Sequence, residues 1–345
     1  MRNNLDKQAI IKGSYFISSK HKDYLSGKTI LVTGGTGSFG KAFIRTVLKK
    51  HQIKRLVIYS RDELKQEEMR TMYGFNDERL RFFIGNVRDK ERLYRALIDI
   101  DIVIHTAALK QVPTCEYNPI EAVKTNINGA ENLINACIDR KVSKVIALST
   151  DKAVNPINLY GATKLVAEKL FIQGNNYSSL DGTKFSCVRY GNVICSRGSV
   201  IPLFMNQKKQ GKITITNKRM SRFWITLNQA VQFVIRCVEL MAGGEVFIPK
   251  IPSMKIIDLA KIIAPKAKIE IIGTRPGEKV HEVLISKEEA KNTYEFDNFY
   301  AIRPVNLFRE PENPAWTLGK KMKSDIYISN NNHWLTKSEL QKMIN

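Results

Sequence analysis

The stretch TILVTGGTGSFGKAFIRTVLKK, residues 29–50, decides the fold. It opens with a β-branched apolar run, continues through glycines, and then spaces apolar residues as one face of a helix does. Gly34, Gly37 and Gly40 stand at G-x-x-G-x-x-G spacing in the turn. Glycines let the backbone approach a pyrophosphate, whose charge then lies at the amide end of the helix. The segment predicts a dinucleotide-binding loop between a strand and a helix.

Five further apolar runs continue this alternation, each separated by a stretch long enough for a helix. They are RLVIYSR (55–61), RLRFFIG (79–85), DIVIHTAA (101–108), KVIALST (144–150) and FSCVRYG (185–191). Strands alternating with helices imply parallel pairing through right-handed crossovers, and continuous apolar strands indicate burial on both faces. We therefore predict an α/β protein with a doubly wound parallel Rossmann sheet.

The regular alternation of strand and helix patterns ends after about residue 190. Beyond it, the short strands KITIT (212–216) and IEIIG (269–273) mix with Pro-Gly turns. This predicts a smaller C-terminal mixed α/β substrate domain, while the apolar helix pattern over 227–240 is expected to return to the first domain. The expected division is an N-terminal extension over 1–27, a Rossmann domain over 28–190 and 223–247, and a substrate-binding domain over 191–222 and 248–345. For the extension, disorder, a contact with a neighbouring subunit and a contact with a membrane surface are open alternatives.

Composition narrows the class of protein. The 345 residues carry a net charge of +22, but the basic residues are scattered without an Arg-rich block, which favours a solvated surface over a nucleic-acid partner. No apolar run approaches the roughly 18 residues of a membrane span, and no secretory signal is recognisable. Five cysteines without a CxxC pair argue against disulfides and a metal site. We expect a cytoplasmic protein without an integral membrane segment.

The residues that follow the second strand bear on the choice between NAD and NADP. An acidic residue there would bind a ribose hydroxyl, whereas basic residues would accept a 2′-phosphate. The chain reads YSRDELK at 59–65, in which Ser60, Arg61 and Lys65 can donate to a phosphate and Asp62 lies past the expected position. This favours NADP, with Arg61 as a mere surface cation as the alternative.

The stretch STDKAVNPINLYGATK (149–164) carries the candidate catalytic groups. Tyr160 and Lys164 are four residues apart and thus share one face of a helix. An ammonium there can lower the pKa of the phenol and hold a nicotinamide ribose, which makes Tyr160 a usable base. Together with the glycine loop, these residues resemble the extended short-chain dehydrogenase/reductase family, and the resemblance places Thr150, Tyr160 and Lys164 in its catalytic motif.

The adjacent Asp151 and Lys152 make the resemblance more specific. In the sugar 4,6-dehydratases of that family, the two residues after the strand act as acid and base, and an Asp-Lys pair resembles the inverting UDP-N-acetylglucosamine 4,6-dehydratases that start the pathway to pseudaminic acid. Further matching stretches are YSRDELKQ, AALKQVP, VRYGNV, SRGSVIPLF, SRFWIT, RPGEKVHE and NNNHWLTKSEL. A simple ion pair that orders the loop is the alternative for Asp151 and Lys152.

The resemblance implies a dehydration without net redox change. Tyr160 would deprotonate the C4 hydroxyl while hydride passes to tightly bound NADP. Lys152, with its pKa lowered toward neutrality, would remove the C5 proton, and Asp151 would protonate the departing C6 hydroxyl. Hydride return to C6 and protonation of C5 from the opposite face would give UDP-2-acetamido-2,6-dideoxy-β-L-arabino-hex-4-ulose. A UDP-sugar 4-epimerase, a combined dehydratase and epimerase, and a non-catalytic NADP-binding regulator are the alternatives.

The resemblance also implies the wider binding site. The expected cofactor-binding residues are Gly34, Thr36, Gly37, Ser38, Phe39, Gly40, Ser60, Arg61, Lys65, Asn86, Val87, Ala107, Ala108, Lys110, Asn126, Tyr160, Lys164 and Tyr190. The expected substrate-binding residues are Lys110, Asn192, Arg222, Arg275 and Glu278. Family members are commonly dimers or hexamers built from dimers, so a homo-oligomer is expected.

Overall fold

The computed structural model describes residues 23–344, apart from residues 73, 180, 195, 197, 309, 312 and 313. Most of the N-terminal extension expected over residues 1–27 therefore lies outside the described residues. Its last residues form a turn in which Leu25 is buried against the main core. That end of the extension is thus anchored on the fold.

The strands and helices of the described residues have the following bounds. The strands are β1 (Thr29–Thr33), β2 (Arg55–Ser60), β3 (Leu80–Ile84), β4 (Ile102–His105), β5 (Lys144–Leu148), β6 (Lys184–Val188), β7 (Asn192–Val193), β8 (Lys212–Ile215), β9 (Ser221–Ile225), β10 (Val246–Pro249), β11 (Ser253–Lys255), β12 (Lys268–Ile271), β13 (Val283–Ile285), β14 (Thr293–Glu295), β15 (Phe299–Ile302), β16 (Lys320–Lys321) and β17 (Tyr327–Ile328). The helices are α1 (Ser38–Lys50), α2 (Glu63–Thr71), α3 (Lys90–Ala96), α4 (Val112–Tyr117), α5 (Pro119–Val123), α6 (Gly129–Asp139), α7 (Leu159–Tyr177), α8 (Val200–Lys208), α9 (Leu227–Leu240), α10 (Ile256–Ile263), α11 (Lys287–Ala290) and α12 (Lys337–Ile344).

The main sheet of the described residues has ten strands in the order β16-β14-β15-β10-β6-β5-β4-β1-β2-β3. The run from β3 to β10 is parallel throughout. Strand order reverses between β1 and β4, so the loops that follow these two strands diverge and leave a crevice at their carboxyl ends. The predicted doubly wound parallel Rossmann sheet is confirmed.

The apolar pattern of the strands accounts for this sheet. All five residues of β1 and all four of β4 are buried, as expected for strands covered by helices on both faces. Helix α9 packs against α1 and β5, because its apolar stripe buries residues such as Phe233 and Val234. Helix α9 therefore covers part of the parallel sheet.

The antiparallel end of the main sheet departs from the expected layout. Strands β14, β15 and β16 pair antiparallel with one another and, through β15, with β10. They come from residues 293–321, a range that the sequence analysis assigned to the substrate-binding domain. These strands are only two to four residues long, so they carry almost no periodic signal in the sequence.

A second, smaller hydrophobic core lies apart from the main one. Its buried members are Ile194, Ile201, Phe204, Ile213, Ile215, Met220, Trp224, Met254, Ile256, Leu259, Ala260, Ile263, Ala264, Leu335, Leu340 and Met343. These residues come from β8, α8, α10, α12 and their surroundings, which form a lobe with a mixed α/β character. Within the described residues, no helix combines the length and the apolar character needed to cross a membrane.

Candidate active site

The glycine loop follows β1 at the crevice. Gly34 has φ 64°, a left-handed conformation, and a Cβ atom there would lie 2.9 Å from Thr106 Oγ1. A Cβ on Gly40 would lie 2.4 Å from the carbonyl oxygen of Gly35, so the first turn of α1 can pack on the loop only with glycine. Helix α1 begins after Gly37 without a side-chain cap. The amide end of the helix therefore lies at the glycine loop, and the loop fits the pyrophosphate of a dinucleotide.

The end of β2 places the residues that the sequence assigns to cofactor choice. Ser60 is buried and its hydroxyl lies 2.9 Å from the hydroxyl of Thr36 in the glycine loop. Arg61 is exposed. Asp62 caps α2 by accepting a hydrogen bond from the Lys65 amide at 3.0 Å, and its other oxygen contacts the Lys65 ammonium. Lys65 is thus engaged by Asp62, whereas Arg61 is exposed beside the end of β2.

The residues expected around the adenine and nicotinamide are fixed by backbone contacts. The carbonyl of Asn86 accepts a hydrogen bond from Tyr59 Oη at 2.9 Å, and Val87 is buried. Asn126 accepts from the Leu109 amide at 2.8 Å and donates to the Leu109 carbonyl at 2.9 Å. It also donates to Thr163 Oγ1 at 3.0 Å. Asn126 therefore ties the loop that carries Ala107, Ala108 and Lys110 to helix α7.

Helix α7 presents Tyr160 near its start. Asn158 caps the helix by accepting from the Gly161 amide at 2.7 Å, and it donates to the Gly277 carbonyl at 2.8 Å. A Cβ on Gly161 would lie 2.2 Å from the carbonyl oxygen of Lys152. Glycine is therefore required for the first turn of α7 to contact the turn after β5, which brings Tyr160 next to the Asp-Lys pair.

The phenol of Tyr160 titrates in an unusual environment. Burial raises its pKa to about 12, while the charge of Lys152 and a hydrogen bond with the Thr150 side chain oppose that rise. Lys164 Nζ donates to the Leu148 carbonyl at 2.6 Å, and burial lowers the pKa of this ammonium. The cation that lowers the phenol pKa is thus Lys152, whereas the sequence analysis assigned that effect to Lys164. The buried phenol of Tyr190 lies close enough to Tyr160 for the two to raise each other's cost of ionising.

The Asp-Lys pair is the centre of a buried ionic cluster. Lys152 Nζ lies 3.0 Å from Asp151 Oδ1 and 3.5 Å from Glu282 Oε1. Thr150 Oγ1 donates to the same Asp151 oxygen at 3.0 Å, and Arg222 Nε lies 3.7 Å from Glu282 Oε1. Two carboxylates and two cations thus alternate over a few ångströms, and each charge stabilises its neighbours.

The electrostatics of Lys152 differ from the sequence expectation. Burial lowers the pKa of its ammonium, but the charges of Asp151 and Glu282 outweigh burial and raise the pKa above its ordinary value. The expectation of a lowered pKa is therefore wrong for this arrangement. Asp151 is the larger cause of the rise, and Glu282, which lies 130 positions downstream in sequence and reaches the ammonium only through the fold, adds to it. The sequence analysis quoted RPGEKVHE but gave its last residue no role.

The residues expected around the nucleotide diphosphate have different degrees of burial. Arg222 is buried, and its guanidinium donates to the carbonyls of Ser221, Val280 and Lys279 at 2.7–3.2 Å. It therefore fixes the RPGEK turn in place. Arg275 is exposed on that turn, and its amide donates to Glu278 Oε2 at 3.4 Å. Asn192 lies in β7 and pairs with Trp224 in β9.

Lys110 is exposed, yet its pKa is lowered by burial of its ammonium and by the charge of Lys152. The two ammonium groups are therefore close enough for their charges to interact. His105 is buried at the end of β4, where its Nδ1 lies 2.9 Å from Thr33 Oγ1. Burial lowers the pKa of His105 to about 3, so its imidazole is neutral near pH 7 and packs in the core.

Comparison with known proteins agrees with this geometry. The family model described as "Polysaccharide biosynthesis protein" matches residues 30–304. The chain belongs to this family. A protein of Campylobacter jejuni named UDP-N-acetylglucosamine 4,6-dehydratase (inverting) is 52% identical over 329 residues, which are 93% of this chain and 98% of that protein. A protein of Rickettsia bellii named UDP-glucose 4-epimerase is 49% identical over 283 residues, 80% of this chain and 82% of that protein.

Solved structures place this member of the polysaccharide biosynthesis protein family among Rossmann-like enzymes. The crystal structure of Pen from Bacillus thuringiensis has a TM-score of 0.85 and 39% identity, and it covers 93% of this chain and 98% of its own. A dTDP-glucose 4,6-dehydratase from Streptomyces venezuelae has a TM-score of 0.67 at 20% identity, a likeness of fold alone. The family and the fold inferred from the motifs are confirmed.

Proposed function

We propose that this family member is an inverting UDP-N-acetylglucosamine 4,6-dehydratase that uses tightly bound NADP. The observation that carries the proposal is the buried Asp151–Lys152 pair directly after β5, held beside Tyr160 by the first turn of α7. A plain oxidation at C4 needs only the tyrosine and its neighbours, whereas elimination of water across C5 and C6 also needs an acid and a base. The 52% identical Campylobacter relative bears the name of this activity.

Oxidation at C4 would begin at Tyr160. Its phenolate would accept the proton of the C4 hydroxyl, with the Thr150 hydroxyl as hydrogen-bond partner and the Lys152 charge stabilising the phenolate. A bound nicotinamide dinucleotide would supply the hydride acceptor, and would return the hydride at the end. Lys164, buried next to the carboxyl end of β5, would hold the nicotinamide ribose. The 4-keto group then acidifies the C5 proton.

The Asp151–Lys152 ion pair already contains the one proton that elimination needs. Transfer of that proton along the 3.0 Å contact converts ammonium and carboxylate into a neutral amine and a neutral acid, without exchange with solvent. The amine of Lys152 then removes the C5 proton, and Asp151 gives its proton to the departing C6 hydroxyl, which leaves as water. The step restores the ion pair. The cycle would close when hydride returns to C6 and the proton that Tyr160 took from the C4 hydroxyl passes, directly or through water, to C5 from the opposite face. A raised pKa of Lys152 in the ion pair is therefore compatible with its role as the base, because a dry, substrate-filled site disfavours separated charges.

The remaining assignments concern ligands and assembly. Arg275 and Glu278 on the RPGEK turn, with Arg222 and Asn192 beside them, would bind the UDP moiety, and Lys110 would face the sugar. Ser60 and Arg61 would accept the 2′-phosphate of NADP. The two hydrophobic cores support the division into a Rossmann part and a substrate-binding part, with β14 to β16 added to the former. We further propose a cytoplasmic homo-oligomer, as the resemblance implies.

The proposal is tested by incubating the purified protein with UDP-N-acetylglucosamine and analysing the sugar nucleotide by mass spectrometry. The expected product has lost one water and gives a 6-deoxy-4-keto sugar. Tyr160→Phe should abolish the product, while Tyr177→Phe, on the exposed end of the same helix, should not. A product of unchanged mass from the unmodified protein would contradict the assignment.

A 4-epimerase acting on a UDP-sugar is the second candidate, because the Rickettsia relatives bear the name UDP-glucose 4-epimerase at up to 49% identity. An epimerase needs C4 oxidation and reduction but no acid and base for elimination. The Asp151–Lys152 pair would therefore have no role in an epimerase. Incubation with UDP-glucose separates the two candidates. Conversion to UDP-galactose without loss of water would favour the epimerase.

A further inference from the structure

The buried carboxylate of Glu282 contacts Lys152, the base of the proposed mechanism. That mechanism gives the carboxylate no role. Glu282 lies just before β13 with 2% of its side chain exposed, and its Oε1 is 3.5 Å from Lys152 Nζ and 3.7 Å from Arg222 Nε. Its amide donates to Ser329 Oγ at 2.9 Å and its carbonyl accepts from the Ser329 amide at 2.9 Å. Backbone contacts on both sides therefore fix where this carboxylate lies.

The buried oxygens without a hydrogen-bond partner indicate that the cluster has a function besides stabilising the fold. Among the described residues, Glu282 Oε2 and Asp151 Oδ2 are both buried without a hydrogen-bond partner. Burying a carboxylate whose oxygen makes no hydrogen bond is costly. The two oxygens belong to the carboxylates whose other oxygens contact the Lys152 ammonium, which is the arrangement expected where a polar ligand completes the hydrogen bonding.

We propose that Glu282 is a positioning residue, which holds the amine of Lys152 between two carboxylates and so directs it toward C5 of the sugar. The inference rests on the proposed dehydratase function. A lysine side chain has a flexible four-carbon stem, and the contact with Asp151, its immediate neighbour in sequence, does not fix the direction of that stem. A second contact, made by a residue of a different element 130 positions away, fixes that direction.

Glu282 also sets how firmly Lys152 holds its proton. The charged or titratable groups that face Lys152 are Asp151 from the same turn, Tyr160 from α7, Lys110 from the loop after β4, Arg222 from β9, and Lys279 and Glu282 from the segment before β13. Three of these groups are cations and two are carboxylates. Without the charge of Glu282, Asp151 alone opposes three cations, so Lys152 would lose its proton at lower pH.

The experiment measures the reactivity of Lys152 directly in the protein without added ligands. Wild type, Glu282→Gln and Glu288→Gln are labelled with acetic anhydride over a pH series, and the peptide that contains Lys152 is quantified by mass spectrometry. Only the neutral amine reacts. We expect the labelling midpoint of Glu282→Gln to fall by roughly one to three pH units. Glu288 is exposed on the adjacent α11, so Glu288→Gln should leave the midpoint unchanged.

Kinetics supply the second readout. Glu282→Gln should lower kcat by roughly tenfold or more while KM for UDP-N-acetylglucosamine changes by less than about threefold, because the residue acts through the base. Glu282→Asp keeps the charge but withdraws the carboxylate by one methylene. It should lower kcat while moving the labelling midpoint less than Glu282→Gln does, and it serves as the test if Glu282→Gln does not fold.

The outcomes separate this inference from the proposed function. An unshifted labelling midpoint in Glu282→Gln, or an unchanged kcat in Glu282→Asp, would overturn the positioning role even if the wild type dehydrates its substrate. If the wild type forms no dehydrated sugar, the proposed function fails and the positioning role toward C5 fails with it. In that case a shifted midpoint would show only that the two side chains are coupled.

Discussion

Replacement of Lys152 by Met is expected to destabilise the protein in a manner that depends on pH. The ammonium lies 3.0 Å and 3.5 Å from two carboxylates that are 1% and 2% exposed, and 26% of its own side chain is exposed. At an effective dielectric constant near 20, each contact contributes roughly 5 kcal/mol before desolvation is counted. Loss of the ammonium also removes its own desolvation cost, so we expect a net loss of about 2–4 kcal/mol in the free energy of unfolding at neutral pH.

The pH dependence follows from the two carboxyl groups that remain. In Lys152→Met, Asp151 and Glu282 are buried without the cation between them, so the pKa of at least one rises above its unfolded value. The native variant then binds more protons than the unfolded chain, and its stability decreases as the pH rises through that raised pKa. The deficit should be fully present near pH 7 and should shrink as the pH falls toward the ordinary carboxyl pKa of about 4.

Urea denaturation of wild type and variant at about pH 7 and pH 5 measures both effects. Lys54→Met removes an exposed lysine and should change stability by no more than about 0.5 kcal/mol at either pH. The double variant Asp151→Asn/Lys152→Met removes one of the two opposed carboxylates and should depend less on pH. A deficit of equal size at both pH values, or none at neutral pH, would refute the charge cluster.

Three further predictions concern other parts of the molecule. Gly161→Ala places a Cβ 2.2 Å from the carbonyl of Lys152 and should cost roughly 1–3 kcal/mol of stability together with most of the activity; wild-type activity would argue against close packing of α7 on the catalytic turn. Arg189→Met leaves the buried Glu168 and the partly buried Glu289 uncompensated and should cost about 3–5 kcal/mol in urea denaturation, with a loss below about 1 kcal/mol as the contrary result. Arg61→Ala should weaken NADP binding about tenfold in calorimetric titration without affecting NAD, and an equal loss for both nucleotides would contradict a 2′-phosphate contact.

Much of the fold could be predicted because its signals are local. The strand, glycine turn and helix over residues 29–50 need only neighbouring residues to define them, and the apolar runs of the parallel strands are uninterrupted. The antiparallel extension could not be predicted in the same way. Strands such as β16 (Lys320–Lys321) are too short for a pattern, and their place in the sheet depends on pairing with residues far away in sequence.

The candidate site shows the same limit. Tyr160, Lys164, Asp151 and Lys152 stand within one short stretch, and their spacing already indicates chemistry. The full set of charges around Lys152 could not be obtained this way, because Glu282, which adds to the effect of Asp151 on the pKa of the ammonium, reaches it through the tertiary fold. A glutamate after a Pro-Gly turn carries no sequence signal that separates it from an exposed one.

The most direct test of the central claim is proton NMR of UDP-N-acetylglucosamine incubated with the protein in deuterated water, without added nucleotide. We predict a new C6 methyl signal, deuterium at C5 and couplings of the L-arabino configuration. In the inverting mechanism, the C5 proton is removed from one face of the sugar and a proton returns to the opposite face. These three signals must therefore appear together. A methyl signal with D-xylo couplings, or no methyl signal even after NADP is supplied, would contradict the account.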